Sequence, residues 1–254
     1  LFIGEKVGRG GNQIDIALDP LEGTTITANG GPGALAVLAM AENGGFLHAP
    51  DVYIDKIAVG GNLSDGVVDL DLSPKQNIFN LAEAKNVSPD SLVACVLDRP
   101  RHSKIIEEIR STGARIKLIP DGDVAGVMAT AETGTGVDIY MGVGGAPEGV
   151  LAAAALTCIG GQMQGRLVFR NDDEKKRAAA TGIQDLEKKY TLGQMAKGDV
   201  LFAATGVTDG SMLNGVKVNK KYISTHSIVM RAKTGTIREI HAEHEINKAL
   251  SGIA

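Results

Sequence analysis

The sequence predicts an α/β fold that contains a parallel sheet covered on both faces. From Ser91 onward, short apolar stretches alternate with helix-forming stretches, which is typical of strands joined by crossover helices. The predicted strands are Leu92–Leu97, Ala114–Ile119 and Val137–Met141. Apolar strands in such an alternation indicate a sheet that helices bury on both sides. The chain of 254 residues is long enough for one large domain or two modest ones.

The N-terminal third predicts strands and turns followed by a helix. Ile14–Leu18 is apolar enough for a strand, and Thr24–Thr27 is predicted to continue it past an acidic turn. Pro32 is predicted to open an alanine- and leucine-rich helix over Ala34–Ala41, because proline is favoured at the first helical position. The glycine pair Gly44-Gly45 ends this predicted helix.

A strand and a capped helix are predicted next. Val52–Val59 is a predicted strand that carries Tyr53. Ser73 is a predicted N-cap and Pro74 the first residue of a helix that runs to about Ala84, because serine and then proline are favoured at these positions.

The loops that follow the three parallel strands are the predicted ligand-binding edge. Helices are expected from about Ser103 to Gly113, from about Val124, and over Val150–Ile159. In parallel sheets of this kind, ligands bind outside the carboxyl ends of the strands. The loops at those ends are Asp98–His102, Pro120–Asp123 and Gly142–Gly149.

The C-terminal part is predicted to mix a charged helix with further strands. Asn171–Tyr190 is a charged, helix-forming segment, and Val200–Val207 is an apolar strand. Tyr222–Arg231 and Thr236–His241 are predicted to pair as antiparallel strands, before a short closing helix. The spacing in H-A-E-H, from His241 to His244, resembles a metal motif but lacks the H-E-x-x-H order, which favours the start of a surface helix.

Composition excludes several classes of protein. The net charge of −4 gives no broad basic surface, so we expect no nucleic-acid partner. The longest apolar runs fall short of the roughly 20 residues of a membrane span, and no signal peptide is visible, so we expect no membrane association. Cys95 and Cys158 lie in apolar surroundings, which indicates free thiols in a reducing cytoplasm.

The acidic turn D-P-L-E-G-T-T is the strongest indication of function. Asp19 and Glu22 are close enough in sequence to reach one ion, and the Leu21 carbonyl can join them. Such oxygen ligands suit Mg²⁺ or Mn²⁺, and the Thr24 hydroxyl can orient or deprotonate a water. This combination indicates hydrolysis of a phosphate ester. The alternative is an ordinary turn, since D-P and E-G are common turn dipeptides.

Glu148 is a candidate third carboxylate. It lies in G-G-A-P-E-G-V before an alanine-rich stretch, where an acidic residue also complements the helix dipole. Beside Asp19 and Glu22, a role as metal ligand is favoured. The glycines before it do not have the G-x-G-x-x-G register of a dinucleotide site.

Candidate sugar-phosphate ligands occupy the other strand-end loops. Arg99 and Arg101 flank a proline, and paired guanidiniums suit a phosphate. Asp121 and Asp123 can cap the next helix or accept hydrogen bonds from sugar hydroxyls; both roles are considered, with Asp123 nearer the cap. Tyr53 is open to a role in the core or in ligand binding.

These motifs resemble a known family. D-P-L-E-G-T resembles the signature of the lithium-sensitive, metal-dependent phosphatases, which include inositol monophosphatase. L-D-R-P-R-H, I-P-D-G-D-V, G-G-A-P-E-G-V, A-T-G-V-T-D-G and S-I-V-M-R look like class II fructose-1,6-bisphosphatase, in the right order from Asp19 to Arg231.

The resemblance implies a fold, a reaction and an assembly. The fold would be a layered α-β-α-β-α sandwich with one mainly antiparallel and one mainly parallel sheet. The reaction would be Mn²⁺- or Mg²⁺-dependent removal of the 1-phosphate of fructose 1,6-bisphosphate in gluconeogenesis, within carbohydrate and glycerol metabolism. The enzyme would be a cytoplasmic phosphoric monoester hydrolase and a homo-oligomer, either a dimer or a tetramer.

The resemblance also assigns roles to residues. Metal ligands would be Asp19, Leu21, Glu22 and Glu148, and Thr24 would activate the attacking water. The substrate would contact Gly23, Thr24, Tyr53, Arg99, Arg101, Asp121 and Asp123.

The family pattern also bears on the N-terminal region and on the division of the chain into domains. The family has a further N-terminal segment with acidic metal ligands before Leu1, and Glu5 is not assigned as a ligand. Residues 1–90 are expected to form a metal-binding α+β half and residues 91–254 an α/β half with the sugar-phosphate loops.

A rival enzyme is a sedoheptulose-1,7-bisphosphatase or a dual bisphosphatase. An inositol-phosphate or nucleotide phosphatase is a weaker alternative, because the loop Asp98–His102 with its two arginines (the arginine loop) is not expected in those enzymes. A rival of another class is a non-catalytic sugar-phosphate-binding protein.

Overall fold

Two six-stranded sheets organise the computed structural model, which describes residues 5–246. Every pairing in the first sheet is antiparallel, in the order β1-β2-β9-β11-β10, with β12 also paired to β11. Its strands are β1 (Ile14–Glu22), β2 (Leu35–Glu42), β9 (Leu201–Gly206), β10 (Lys217–Val218), β11 (Tyr222–Arg231) and β12 (Thr236–Glu245).

The second sheet is mixed. Its strands are β3 (Tyr53–Gly60), β4 (Val93–Leu97), β5 (Arg115–Ile119), β6 (Ile139–Gly145), β7 (Gly161–Val168) and β8 (Lys189–Thr191), in the order β5-β4-β6-β3-β7-β8. Strand β4 runs parallel to both β5 and β6, whereas β3 is antiparallel to β6 and β7. The carboxyl ends of β4, β5, β6 and β7 therefore meet at one edge, beside the first residue of β3.

Helices separate and cover the sheets. They are α1 (Thr24–Ala28), α2 (Pro74–Lys85), α3 (Ser103–Arg110), α4 (Asp123–Met128), α5 (Ala146–Ile159), α6 (Asp172–Ala180) and α7 (Leu192–Met195). Helix α5 contacts strands of both sheets, and α4 packs beside it. Helices α2 and α3 pack with the other face of the second sheet in a separate apolar cluster. Residues 5–246 thus form a layered α/β sandwich with one antiparallel sheet, as predicted. The second sheet, predicted to be mainly parallel, is mixed, because β3 pairs antiparallel with β6 and β7.

Helix α5 forms the apolar centre of the molecule. Ten of its 14 residues are buried, including the continuous run Val150–Leu156. A helix that is apolar on every side is stable only where it is covered on every side. Two facing sheets provide that cover, and the small alanines let both sheets approach the helix closely.

Two local predictions in the N-terminal third are wrong. Ala34–Ala41 is mostly strand β2 and not a helix, because Leu35, Val37, Ala39 and Ala41 are buried in strict alternation between β1 and β9. Tertiary pairing here overrides the helix propensity of alanine. Thr24–Thr27 lies in helix α1 and does not continue β1.

Other differences affect the strand ends. The segment predicted as a loop over Gly142–Gly149 is instead the end of β6 running directly into α5. Strand β7 is absent from the predicted elements, although Gln162, Gln164 and Arg166 alternate with buried residues at the two-residue period of a half-buried strand. His241 and Glu243 lie in strand β12 and not at the start of a helix. Residues 247–254, where the closing helix was predicted, lie outside the described residues.

The helix-forming segment predicted over Asn171–Tyr190 is helical only in α6, because Gly182, with a φ of 90°, follows the end of that helix, and Tyr190 lies in strand β8. The remaining main elements are confirmed within a few residues. The Ser73 hydroxyl caps α2 by accepting a hydrogen bond from the Gln76 N–H at 3.1 Å, and Pro74 is the first helical residue, as predicted. Both sheets take strands from either side of residue 90, and the division into two halves stays a prediction. Among the helices of residues 5–246, none combines the length and the hydropathy needed to span a membrane.

Candidate active site

A cleft of about 350 Å³ opens where β1 meets the carboxyl ends of β4, β5 and β6. Its size suits a small-molecule ligand. The cleft is lined by Asp19, Leu21, Glu22, Gly23, Thr24, Leu97, Arg99, Arg101, Asp121, Asp123, Gly144, Gly145 and Glu148. The structure therefore brings together every predicted site residue except Tyr53, whose ring lies 5.1 Å from the guanidinium carbon of Arg101.

The acidic turn has its shape because of Gly23. This residue has a φ of 90°, a conformation that side chains rarely allow, and it ends β1 and starts α1. A Cβ on Gly23 would also lie 3.3 Å from the Ala34 Cα atom. Just before it, Asp19 Oδ1 accepts a hydrogen bond from the Leu21 N–H at 3.0 Å. The turn thus buries Glu22 and leaves Thr24 exposed at the rim of the cleft.

The Glu22 and Glu148 carboxyl groups are placed as candidate cation ligands. Glu22 is only 3% exposed, and burial, with the nearby Asp123, raises its pKa to about 8. Glu22 Oε1 accepts the Val124 N–H at 2.6 Å. Burial also raises the pKa of Glu148. Among residues 5–246, the buried oxygens Glu22 Oε2 and Glu148 Oε2 have no hydrogen-bond partner. Buried carboxylate oxygens without a partner are costly, and a divalent cation is a chemically fitting partner.

Lys56 is a buried cation beneath these carboxylates. It is fully buried in β3, and its ammonium donates a hydrogen bond to Asp123 Oδ2. The charges of both residues act on the pKa of the Glu22 carboxyl: Asp123 raises it and Lys56 lowers it. The sequence motifs assign no role to Lys56. The available signal was a charged residue inside the apolar strand I-D-K-I-A-V.

Two glycines of β6 make room for this arrangement. A Cβ on Gly144 would lie 2.1 Å from Asp123 Oδ2, and one on Gly145 would lie 1.9 Å from Glu148 Oε2. Any side chain at these positions would displace the carboxylates. The glycine-rich end of β6 is therefore explained by close packing of acidic side chains against the backbone.

Asp123 does not cap the following helix. The N-cap of α4 is Gly122, no side chain caps it, and Asp123 is the first helical residue. The capping prediction for Asp123 is wrong because its carboxylate faces Lys56. Asp121 Oδ2 instead accepts the Thr25 N–H at 3.2 Å, and Asp121 Oδ1 lies 3.8 Å from Arg99 Nη2. Asp121 thus links the loop after β5 to both α1 and the arginine loop.

His102 holds the arginine loop in place. Its ring is fully buried, with Nδ1 2.8 Å from the Leu97 carbonyl oxygen and Nε2 2.9 Å from the Val143 nitrogen. These contacts assign the proton to Nδ1, which donates to Leu97, while Nε2 accepts the Val143 N–H. Arg101 Nε and Nη2 donate to the Val143 carbonyl at 3.0 and 2.7 Å. His102, which sequence analysis gave no role, therefore joins the ends of β4 and β6.

The stability of the protein is expected to depend on pH through His102. Burial lowers the pKa of the imidazole, and the charge of Arg101 acts in the same direction. As the pH is lowered, His102 takes up a proton near pH 6.5 in the unfolded chain and only at a lower pH in the folded chain. The free energy of unfolding therefore falls as the pH drops below 6.5. In urea unfolding, the free-energy advantage of wild type over His102→Gln should shrink from pH 7 to pH 5. An advantage that stays constant over this range would contradict the assignment.

The chain is similar to known proteins over nearly its whole length. The sequence model of the family described as bacterial fructose-1,6-bisphosphatase, glpX-encoded, matches residues 1–244. The chain is 41% identical over 263 residues to fructose-1,6-bisphosphatase 1 class 2 of Escherichia coli K12, covering 98% of this chain and 78% of the relative. Proteins named fructose-1,6-bisphosphatase class 2 from Escherichia coli O6:H1 and Shigella flexneri match with the same identity and coverage.

Proposed function

Because the chain belongs to the bacterial, glpX-encoded family of fructose-1,6-bisphosphatases, we infer that it hydrolyses fructose 1,6-bisphosphate to fructose 6-phosphate and phosphate. It is thus a phosphoric monoester hydrolase. The observation that carries this function is one cleft lined by the Glu22 and Glu148 carboxyl groups and by two arginines, Arg99 and Arg101. That arrangement suits a substrate with a reactive phosphate at one end and further anionic groups at the other.

The carboxylate side of the cleft is the proposed metal site. Asp19, Glu22 and Glu148, with the Leu21 carbonyl, would hold Mg²⁺ or Mn²⁺. The unpartnered oxygens of Glu22 and Glu148 support this role. A divalent cation at this position supplies positive charge that offsets the charge of the phosphoryl group. Because burial keeps Glu22 protonated near neutral pH without a cation, binding an ion there would release a proton.

Thr24 is the proposed residue that activates the attacking water. It is the first residue of α1, and it lines the cleft beside Glu22. Its hydroxyl would accept a hydrogen bond from the water as the water oxygen attacks the phosphorus and the bond from phosphorus to the C1 oxygen breaks. A proton from the water would end on that C1 oxygen, which gives fructose 6-phosphate and phosphate. Gly23 would let the substrate approach the backbone closely.

The opposite side of the cleft is the proposed sugar-phosphate site. Asp121 and Asp123 would accept hydrogen bonds from sugar hydroxyls, although Asp123 shares one oxygen with Lys56. Arg99, Arg101 and Tyr53 would bind the anionic end of the substrate. We also propose that the protein acts in the cytoplasm, in gluconeogenesis, as a homo-oligomer.

Phosphate release from purified protein tests this function. After removal of metals with EDTA, the protein should release little phosphate from fructose 1,6-bisphosphate, and Mg²⁺ or Mn²⁺ should restore release. Glu148→Gln should lose most of this activity, whereas Glu107→Gln, an exposed control on α3, should keep it. Release that EDTA and Glu148→Gln leave unchanged would contradict the proposed site. Sedoheptulose 1,7-bisphosphate in the same assay measures selectivity for the shorter sugar.

A further inference from the structure

We propose that Arg170 is a further substrate-binding residue, which holds the 6-phosphate together with Arg101 beside the ring of Tyr53. This inference rests on the proposed function, and it names a residue that the sequence motifs do not include. Arg170 follows β7, the strand that sequence analysis did not predict.

The sheet topology brings Arg170 to the same edge as the cleft. Tyr53, the first residue of β3, pairs with Gly145 at the end of β6 and with Val168 at the end of β7. Gly145 lines the cleft. The chain after Val168 therefore emerges one strand beyond Tyr53, and Arg170 lies two residues further on. The ligand-binding edge of the sheet thus has a fourth strand-end segment.

Two guanidiniums contact the Tyr53 ring. The guanidinium carbon of Arg170 lies 4.7 Å from the ring centroid, and that of Arg101 lies 5.1 Å from it. Contact with an aromatic ring restrains the plane of a guanidinium. Arg101 Nε and Nη2 donate to the Val143 carbonyl, so the Nη1 edge is the one that remains for a ligand. Two like charges gathered around one ring repel each other, and an anion between them offsets that repulsion.

Arg170 is pre-organised by a buried carboxylate. Glu174, whose side chain is only 1% exposed, accepts the backbone N–H of Arg170 and its Nε–H, each at 2.7 Å. The Glu174 N–H in turn donates to the Asn171 side chain at 2.9 Å, which caps α6. Glu174 therefore fixes one edge of the guanidinium. Arg170 Nη2 also lies 2.5 Å from Glu174 Oε1, so the fixed edge is the Nε/Nη2 edge. The side chain of Arg170 is 55% exposed, and the opposite edge of its guanidinium, which carries Nη1, is the one proposed to bind the ligand.

The chemistry of a bisphosphate requires two different anion sites. The carboxylate side of the cleft suits a phosphate that a cation neutralises. The second phosphate, at the other end of the sugar, needs positive charge from the protein itself. A pair of arginines provides planar, bidentate donors for this purpose.

The test compares two substrates that share the reactive end. Fructose 1-phosphate has the same scissile phosphate as fructose 1,6-bisphosphate but lacks the 6-phosphate. Arg170→Met should lower kcat/KM for the bisphosphate about 10- to 100-fold, the usual effect of losing a charge-assisted hydrogen bond, and should leave kcat/KM for fructose 1-phosphate near wild type. Arg170→Lys, which keeps the charge beside Glu174, should show a smaller loss in the same direction.

Arg177→Met is the matched control. Arg177 is a 53% exposed arginine on α6, whose Nη2 lies 3.9 Å from Glu174 Oε1 and donates to the Asp51 carbonyl at 3.4 Å. Its replacement should leave the ratio of the two kcat/KM values unchanged. Competition assays give a second measurement: Arg170→Met should weaken inhibition by fructose 6-phosphate and leave inhibition by inorganic phosphate unchanged.

The outcomes separate this inference from the proposed function. If Arg170→Met loses activity on both substrates equally, or if its ratio and its inhibition by fructose 6-phosphate match wild type, Arg170 does not bind the 6-phosphate. The proposed function stands in both cases, because wild type still hydrolyses the bisphosphate. A wild-type protein that releases no phosphate from the bisphosphate would overturn both.

Discussion

Replacing Thr24 with alanine is expected to lower kcat about 10²- to 10⁴-fold, the usual contribution of a positioned proton-transfer group. KM for fructose 1,6-bisphosphate should change little, because the arginines and aspartates that would bind the sugar phosphate are untouched. Thr24 is exposed at the start of α1, so the variant should fold normally. Steady-state phosphate release at saturating Mg²⁺ measures kcat and KM separately.

Two variants control this experiment. Thr24→Ser keeps a hydroxyl and should retain much of the activity. Thr25→Ala changes the neighbouring exposed side chain but keeps the backbone N–H that donates to Asp121. A Thr24→Ala protein that turns over at the wild-type rate would remove Thr24 from the mechanism.

Lys56→Met is expected to lower the free energy of unfolding by about 3–5 kcal/mol, the usual effect of removing one partner of a buried ion pair. The variant leaves the Asp123 carboxylate buried, 7% exposed, without its ammonium partner. The loss should be measured by urea unfolding in EDTA, so that bound cations do not stabilise the folded state.

The comparison with an exposed ion pair makes this prediction specific. Lys85 pairs with Asp138 at the surface, where its side chain is 37% exposed, and Lys85→Met should cost less than about 1 kcal/mol. Replacing both Lys56 and Asp123 with uncharged residues, as Lys56→Met with Asp123→Asn, should recover part of the lost stability. A Lys56→Met protein as stable as Lys85→Met would contradict the buried pair.

The residues of the cleft were predictable because their motifs are local. Asp19, Glu22 and Thr24 lie within one turn, and the strand alternation after Ser91 predicted that the following loops share an edge. Parallel strands require this geometry whatever their detailed packing. Local chemistry and a simple topology were therefore sufficient to assemble most of the candidate site.

The supporting residues were not predictable, because their partners are distant in the sequence. Lys56 and Asp123 are 67 residues apart, and His102 and Val143 are 41 apart. A single sequence gives no measure of such pairings. Strand β2 shows the same limit: alanine-rich sequence favours a helix, and only the neighbouring strands β1 and β9 make it a strand.

The most direct test of the central claim follows the phosphorus atoms of the substrate by ³¹P NMR. With Mg²⁺ present, the signal of the 1-phosphate should disappear as inorganic phosphate appears, while the 6-phosphate signal persists as fructose 6-phosphate. With EDTA in place of Mg²⁺, the substrate spectrum should stay unchanged. Loss of the 6-phosphate, or equal hydrolysis in EDTA, would contradict a cation-dependent 1-phosphatase built on Asp19, Glu22 and Glu148.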